Sequence, residues 1–125
     1  MRLILAVLPL IASGPVWAEW ERFATTDQVV HYIDPKSIQQ DGDIRRVWWL
    51  HDLKTRDQDG EMSRRGLEEI NCKAKRHRTI AGTTHSGPMA TENTLINIGA
   101  PDTKWLDMVP NSLGEYMLSL VCGRR

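Results

Sequence analysis

Most of the chain reads as strand, because β-branched and aromatic runs stop repeatedly at turn residues. The pattern predicts short strands over Trp20–Ala24 and Val29–Ile33, the second ended by Asp34-Pro35. Asp41-Gly42 signals a turn, and Asp43–Leu53 carries the strongest strand pattern. A polar loop, Asp57–Gly60, follows. Met62–Cys72 and Lys75–His85 flank a short turn and read as a hairpin, ended by Ser86-Gly87-Pro88. Thr94–Ile98 is a weaker sixth strand, closed by Gly99-Ala100-Pro101.

The last element changes period. Ser112-Leu113-Gly114-Glu115 matches a capping box, in which hydroxyl and carboxylate satisfy reciprocal backbone donors. Leu113, Tyr116, Met117, Leu120 and Val121 then recur at helical spacing. Gly123 is a stop signal, and Arg124-Arg125 complement the negative end of a helix. On an ideal helix Cys122 falls opposite the Leu113/Tyr116/Met117/Leu120 stripe. The pattern therefore predicts a helix that ends near Leu120 or Val121, with a bend before Cys122. The fold class expected is α+β: an antiparallel sheet of about six strands with one C-terminal helix packed on one face.

Adjacent Trp48 and Trp49 must point to opposite faces of an extended strand. Leu50 and Leu53 also differ in parity, as do Leu67 and Ile70. One short helix covers one face of such a sheet. The other face is expected to keep apolar surface, including at least one indole, for a partner, a ligand groove or self-association. A strand bulge that turns both groups inward is the alternative.

The N-terminus follows another pattern. Arg2 precedes an apolar run from Leu3 to Ala12, Gly14-Pro15 break it, and Val16-Trp17-Ala18 gives a small-x-small cut site. This is the order of a signal peptide, and the run is too short for a membrane span of roughly 20 residues. Residues 1–18 are expected as a signal peptide and 19–125 as one periplasmic or secreted domain. No cysteine sits near the cut to accept a lipid anchor.

Charge adds little globally. The chain carries 16 basic and 16 acidic residues, a balance that gives no sign of a nucleic-acid partner. The two cysteines, Cys72 and Cys122, have one intramolecular pairing open to them. An exported context and an even count predict that disulfide. Neither belongs to a CxxC pair, which argues against a redox-active or zinc site.

Candidate chemistry is sparse. The histidines are His31, His51, His77 and His85. None lies four residues from another on a predicted helix. His77 and His85 share strand parity but stand about 26 Å apart along an extended strand, so no metal site is expected. Glu68 and Glu69 are adjacent and point to opposite faces, which makes a poor acid–base dyad. Ser63, Ser86 and Ser112 lack a nucleophile-elbow context, and no glycine-rich phosphate loop is present. Neither an enzyme nor a cofactor is expected.

Basic residues cluster locally. Arg64, Arg65, Lys73, Lys75, Arg76 and Arg78 all fall within the predicted hairpin, with Arg45 and Arg46 on the preceding strand. Alternation puts Arg76 and Arg78 on one face, and Arg64 joins them only if register permits. One reading is a solvated, aggregation-resistant surface. The other is a patch for an acidic protein segment or polyanion. These six residues, with Trp48 and Trp49, are the candidate protein-binding set.

The order of residues resembles the bacterial surface-adhesin protein E family. The stretches that carry the resemblance begin with Val30-His31-Tyr32-Ile33-Asp34-Pro35-Lys36-Ser37-Ile38 and Arg46-Val47-Trp48. Asn71-Cys72-Lys73, Ser86-Gly87-Pro88-Met89 and Trp105 follow, then Val109-Pro110-Asn111-Ser112 and Val121-Cys122. The resemblance implies an antiparallel sheet with a C-terminal helix tethered to one face by a disulfide. It also implies non-catalytic binding of host extracellular-matrix or plasma proteins at the bacterial surface. A homodimer is a further expectation. A soluble periplasmic structural or assembly factor is the alternative, and a small-molecule binder using the open tryptophan face a third.

Overall fold

The structure, a computed structural model, describes residues 18–99 and 104–123. The expected leader up to Trp17, Ala100-Pro101 and Arg124-Arg125 lie outside the described residues. Eight strands form one antiparallel sheet. They are β1 (Glu21–Thr25), β2 (Val29–Ile33), β3 (Gln39–Asp41) and β4 (Ile44–Leu53), then β5 (Ser63–Asn71), β6 (Arg76–His85), β7 (Thr94–Ile98) and β8 (Leu106–Asp107). The main path runs β1-β2-β4-β5-β6-β7. β3 pairs with β4 in line with β2, and β8 pairs with β6. The two strands beyond the expected six are β3, three polar exposed residues, and β8, two residues. Both are too short to show a period.

The turn signals act as expected. The Asp34 side chain accepts the Lys36 N–H at 3.2 Å and starts a 3-10 turn over Pro35–Ser37. That turn docks on β4, where the Trp48 N–H donates to Ser37 Oγ at 3.0 Å, and it separates β2 from β3. Gly42 takes a φ of 59°, which the tight Asp41-Gly42 connection between β3 and β4 requires.

The helix α1 (Leu113–Cys122) includes Cys122, so the expected bend before that residue does not occur. The buried positions are Leu118 and Val121, with Met117, Leu120 and Cys122 packed beside them, while Leu113 and Tyr116 stay exposed. Leu118, Val121 and Cys122 are three and four residues apart and share one side of the helix. Seating that side on Ile33, Val47 and Ile70 brings Cys122 to the sheet. Cys72 lies just beyond the end of β5, and the two Cα atoms are 5.9 Å apart across the disulfide. The Ser112 hydroxyl accepts the Glu115 N–H at 3.1 Å, as expected. The Glu115 carboxylate instead reaches one residue further back and accepts the Asn111 N–H.

A register shift changes the faces within β6. Leu67 pairs with Ala81 but Glu68 pairs with Thr79, so Ile80 is an extra residue. His77 and His85, equal in sequence parity, therefore lie on opposite faces. The face away from α1 is also less bare than expected. Leu50 is fully buried there. The segment after β6 folds back over it: Ser63 Oγ donates to Gly87 O at 2.6 Å, and the Met89 N–H donates to Asp52 Oδ1 at 2.9 Å. Among the described residues, the large exposed apolar side chains are Leu95, Ile96 and Ile98 of β7, Leu106, Val109, Leu113 and Tyr116. Apolar exposure thus sits at the β7–β8 edge and on the helix, not across the open face.

Candidate functional site

Alternation along β5 sends Gly66, Glu68 and Ile70 toward α1 and Arg65, Leu67 and Glu69 away from it, because Ile70 packs under the helix. On the face away from α1 the register sets Glu69 between Arg46 and Arg78. Glu69 is buried and accepts from Arg46 Nε at 2.9 Å and Arg78 Nε at 2.8 Å. Burial pushes its carboxyl up, but the hydrogen bonds and charges of Arg78 and Arg46 outweigh burial and hold it below its ordinary value. The Arg78 guanidinium lies over Trp105 at 4.4 Å, and the Arg65 guanidinium lies over Trp48 at 4.2 Å. The face thus carries two guanidinium–indole pairs, one of which, Arg78 on Trp105, shares the Glu69 carboxylate with Arg46.

The structure thus gathers Trp48, Arg65 and Arg78 from the expected set and adds Arg46 and Trp105. Arg64 does not join them. It pairs across the sheet with Thr84 on the α1 side and donates to Glu61 at 2.7 Å. Trp49 also faces α1. Lys73 and Lys75 are exposed in the turn, and Arg76 pairs with Asp107 of β8 at 2.9 Å. Trp105 carried no sequence signal beyond its place in the family resemblance.

A second arrangement fills the space between the sheet and the start of α1. Trp49 stacks on His51 at 4.3 Å, His51 meets His31 edge-on at 4.5 Å, and Phe23 contacts both His31 and Tyr116. The Glu68 carboxylate is buried at the end of this series. It accepts from Trp49 Nε1 at 3.0 Å and Thr79 Oγ1 at 2.8 Å, and pairs with His77 Nδ1 at 2.9 Å. All of these groups except Tyr116 line a cleft of about 250 Å³ with Met108, Leu113, Gly114 and Met117. Glu68 and Glu69 lie on opposite faces, each saturated by neighbours, so they do not work as an acid–base pair. Among the described residues, no three His, Cys, Asp or Glu side chains are grouped to hold a metal.

The cleft makes the fold sensitive to acid. Burial, then the neighbouring His31 and Arg64, push His51 from 6.5 down to about 3. Above pH 6.5 the imidazole is neutral whether folded or unfolded, so it contributes no pH dependence. Below that, the unfolded chain takes up a proton that the native site refuses. Stability is therefore lost as pH falls, at up to ~1.4 kcal/mol per unit. His31, lowered by burial, acts in the same direction. Between neutral pH and about pH 5, we expect His51 to cost roughly 2 kcal/mol. Urea denaturation at both pH values, on the natural chain and His51→Gln, checks this. The variant is expected to lose less stability on acidification, and equal losses would refute the assignment.

The family described as surface-adhesin protein E matches residues 17–123. Solved structures of Haemophilus influenzae protein E share the fold. One crystal form superposes with a TM-score of 0.58 at 14% identity, covering 82% of this chain and 96% of that one. A structure from non-typeable Haemophilus influenzae gives 0.53 at 15% identity, covering 83% and 84%. No curated protein sequence matches the chain.

Proposed function

The chain belongs to the surface-adhesin protein E family, and we propose that it is a non-catalytic exported adhesin that binds host matrix or plasma proteins through the sheet face opposite α1. Family membership, the leader pattern and the Cys72–Cys122 disulfide support a location outside the cytoplasm. The observation that carries the choice of face is the Arg65–Trp48 pair. Among the described residues the Arg65 guanidinium makes no hydrogen bond or ion pair, so its donors remain available while the indole holds its plane. Arg and Trp dominate protein interfaces because each combines a large apolar surface with directed donors. A planar guanidinium also recognises carboxylates in a bidentate way, which favours an acidic segment on the partner.

Arg78 is a poor position for a test, because a carboxylate there would meet buried Glu69. Arg65→Glu removes the free cation and leaves the Arg46–Glu69–Arg78 unit intact. Against a panel of purified matrix and plasma proteins, the variant is expected to bind at least about tenfold more weakly. The loss should be greatest at low salt. Folding stability is expected to change by less than about 1 kcal/mol. Equal binding by natural chain and variant would remove this face from the interface. Binding of no host protein by either would favour the reading as a periplasmic structural or assembly factor.

A further inference from the structure

The two halves of α1 are packed unevenly. The C-terminal half buries Leu118 and Val121 and is tied to Cys72 through Cys122. The N-terminal half leaves Leu113 40% and Tyr116 48% exposed, and the cleft of about 250 Å³ opens beneath it. Aromatic rings and the thioethers of Met108 and Met117 line that cleft. Methionine is unbranched and polarisable, so it adapts to the shape of a guest. A concave apolar surface with a few polar groups that fix orientation is how small-molecule sites are built.

The polar group that fixes orientation here is His77. Its Nδ1 lies 2.9 Å from the buried Glu68 carboxylate. A carboxylate only accepts, so Nδ1 carries the hydrogen, and in the neutral ring Nε2 holds the lone pair. Glu68 is itself fixed by donors from Trp49 and Thr79, which holds the imidazole in one orientation. Among the described residues His77 Nε2 has no hydrogen-bond partner and is not enclosed. His31 and His51 add no charge at neutral pH, because burial lowers both. The cleft thus presents apolar walls, no unpartnered charge and one oriented acceptor.

We propose that this cleft binds a small neutral aromatic molecule of one or two fused rings, held by a hydroxyl or N–H donor that bonds to His77 Nε2. Volume sets the size. A cavity of about 150 Å³ holds benzene, so this cleft takes two fused rings, and a larger ring system would have to lift α1. The lining sets the charge. A carboxylate on the ligand would face Glu68, and a cation would find Glu68 already satisfied by three donors. The site lies on the α1 side of the sheet, so occupancy leaves Arg65 and Trp48 on the other face open. It therefore stands or falls apart from the binding of host proteins.

The probe is 2-naphthol, compared with 2-methoxynaphthalene, which keeps the rings and lacks the donor. Of the five methionines Met1 belongs to the leader, so the exported chain has four methyl reporters. Met108 and Met117 line the cleft, and Met62 and Met89 do not. With these methyls labelled with carbon-13, 2-naphthol at about pH 8 is expected to shift Met108 and Met117 and leave Met62 and Met89 in place. Saturation is expected between tens of micromolar and about a millimolar. The methoxy compound is expected to bind about tenfold more weakly. His77→Phe is expected to bind the two probes equally. In the natural chain, the nitrogen-15 signal of His77 Nε2 is expected to move far more with 2-naphthol than with its methyl ether, which reads the acceptor without a substitution. Absence of saturable shifts at Met108 and Met117 would overturn the proposal. So would equal shifts at Met62 and Met89, equal movement of Nε2 with both probes, or a preference for 2-naphthol that survives in folded His77→Phe.

Discussion

Removing the Cys72–Cys122 cross-link is expected to lower stability by roughly 4 kcal/mol, the largest single effect in this molecule. The bond closes a separation of 50 residues, and chain-entropy scaling for a loop of that size gives this value. The structure adds a local reason for a large loss. α1 has ten residues and buries only Leu118 and Val121 fully or nearly so. A helix of that length is marginal in water by itself, so its order depends on being held against Ile33, Val47 and Ile70. In the double variant Cys72→Ala/Cys122→Ala the helix is expected to undock before the sheet melts. Thermal unfolding followed at a helical circular-dichroism wavelength should show the midpoint falling by about 15–25 °C. A fall of less than about 5 °C, with helical signal intact, would mean that packing and not the tether holds α1.

Gly66→Ala is expected to cost about 3 kcal/mol, a large penalty for one methyl group. Gly66 pairs across the ladder with Trp49, and the indole lies directly over it on the way to Glu68. A Cβ at this position would overlap Trp49 Cζ2 and stand 2.5 Å from Cε2 and 2.9 Å from Cη2. The ring must lift, which breaks the 3.0 Å bond from Trp49 Nε1 to the buried Glu68 carboxylate and opens the stack on His51. Overpacking of this kind costs about 1–3 kcal/mol, and a buried acceptor losing its donor adds a further 1 kcal/mol or so. Gly82 is the control. A Cβ there meets only Arg65 O at 3.4 Å, so Gly82→Ala is expected to change stability by less than about 1 kcal/mol. Urea midpoints separate the two variants. Equal effects would show that the indole does not rest on Gly66.

Much of the architecture was legible because it rests on local rules. The bounds of β2 and β7 follow from Asp34-Pro35 and from the β-branched run at Thr94–Ile98. The hairpin of β5 and β6, the turn at Gly42 and the Ser112 cap were equally visible. The opposite facing of Trp48 and Trp49, and of Glu68 and Glu69, follows from strand parity alone. The candidate site was legible only in part. Arg65, Arg78 and Trp48 could be picked out by charge and aromatic character, but so could Arg64 and Trp49, which lie on the other face. Nothing local distinguishes the two groups until one element fixes which face is covered.

The sequence by itself therefore determined where the six longer strands and the helix begin to within a residue or so, which cysteines pair and which neighbours must diverge. Those outcomes depend on a residue and its near neighbours, or on there being only two thiols. The tertiary structure decided the rest. The extra residue at Ile80 separates His77 from His85, and it could be placed only by the pairing of β6 with β5. The rotation of α1 that brings Cys122 inward was set by burying Leu118 and Val121 together, not by the Leu113/Tyr116 stripe. Trp105 meets Arg78, and Met89 meets Asp52, although each pair is far apart in the chain. Contacts between residues far apart in the chain are selected by which surfaces can be buried at once, and no periodicity along the chain encodes that choice.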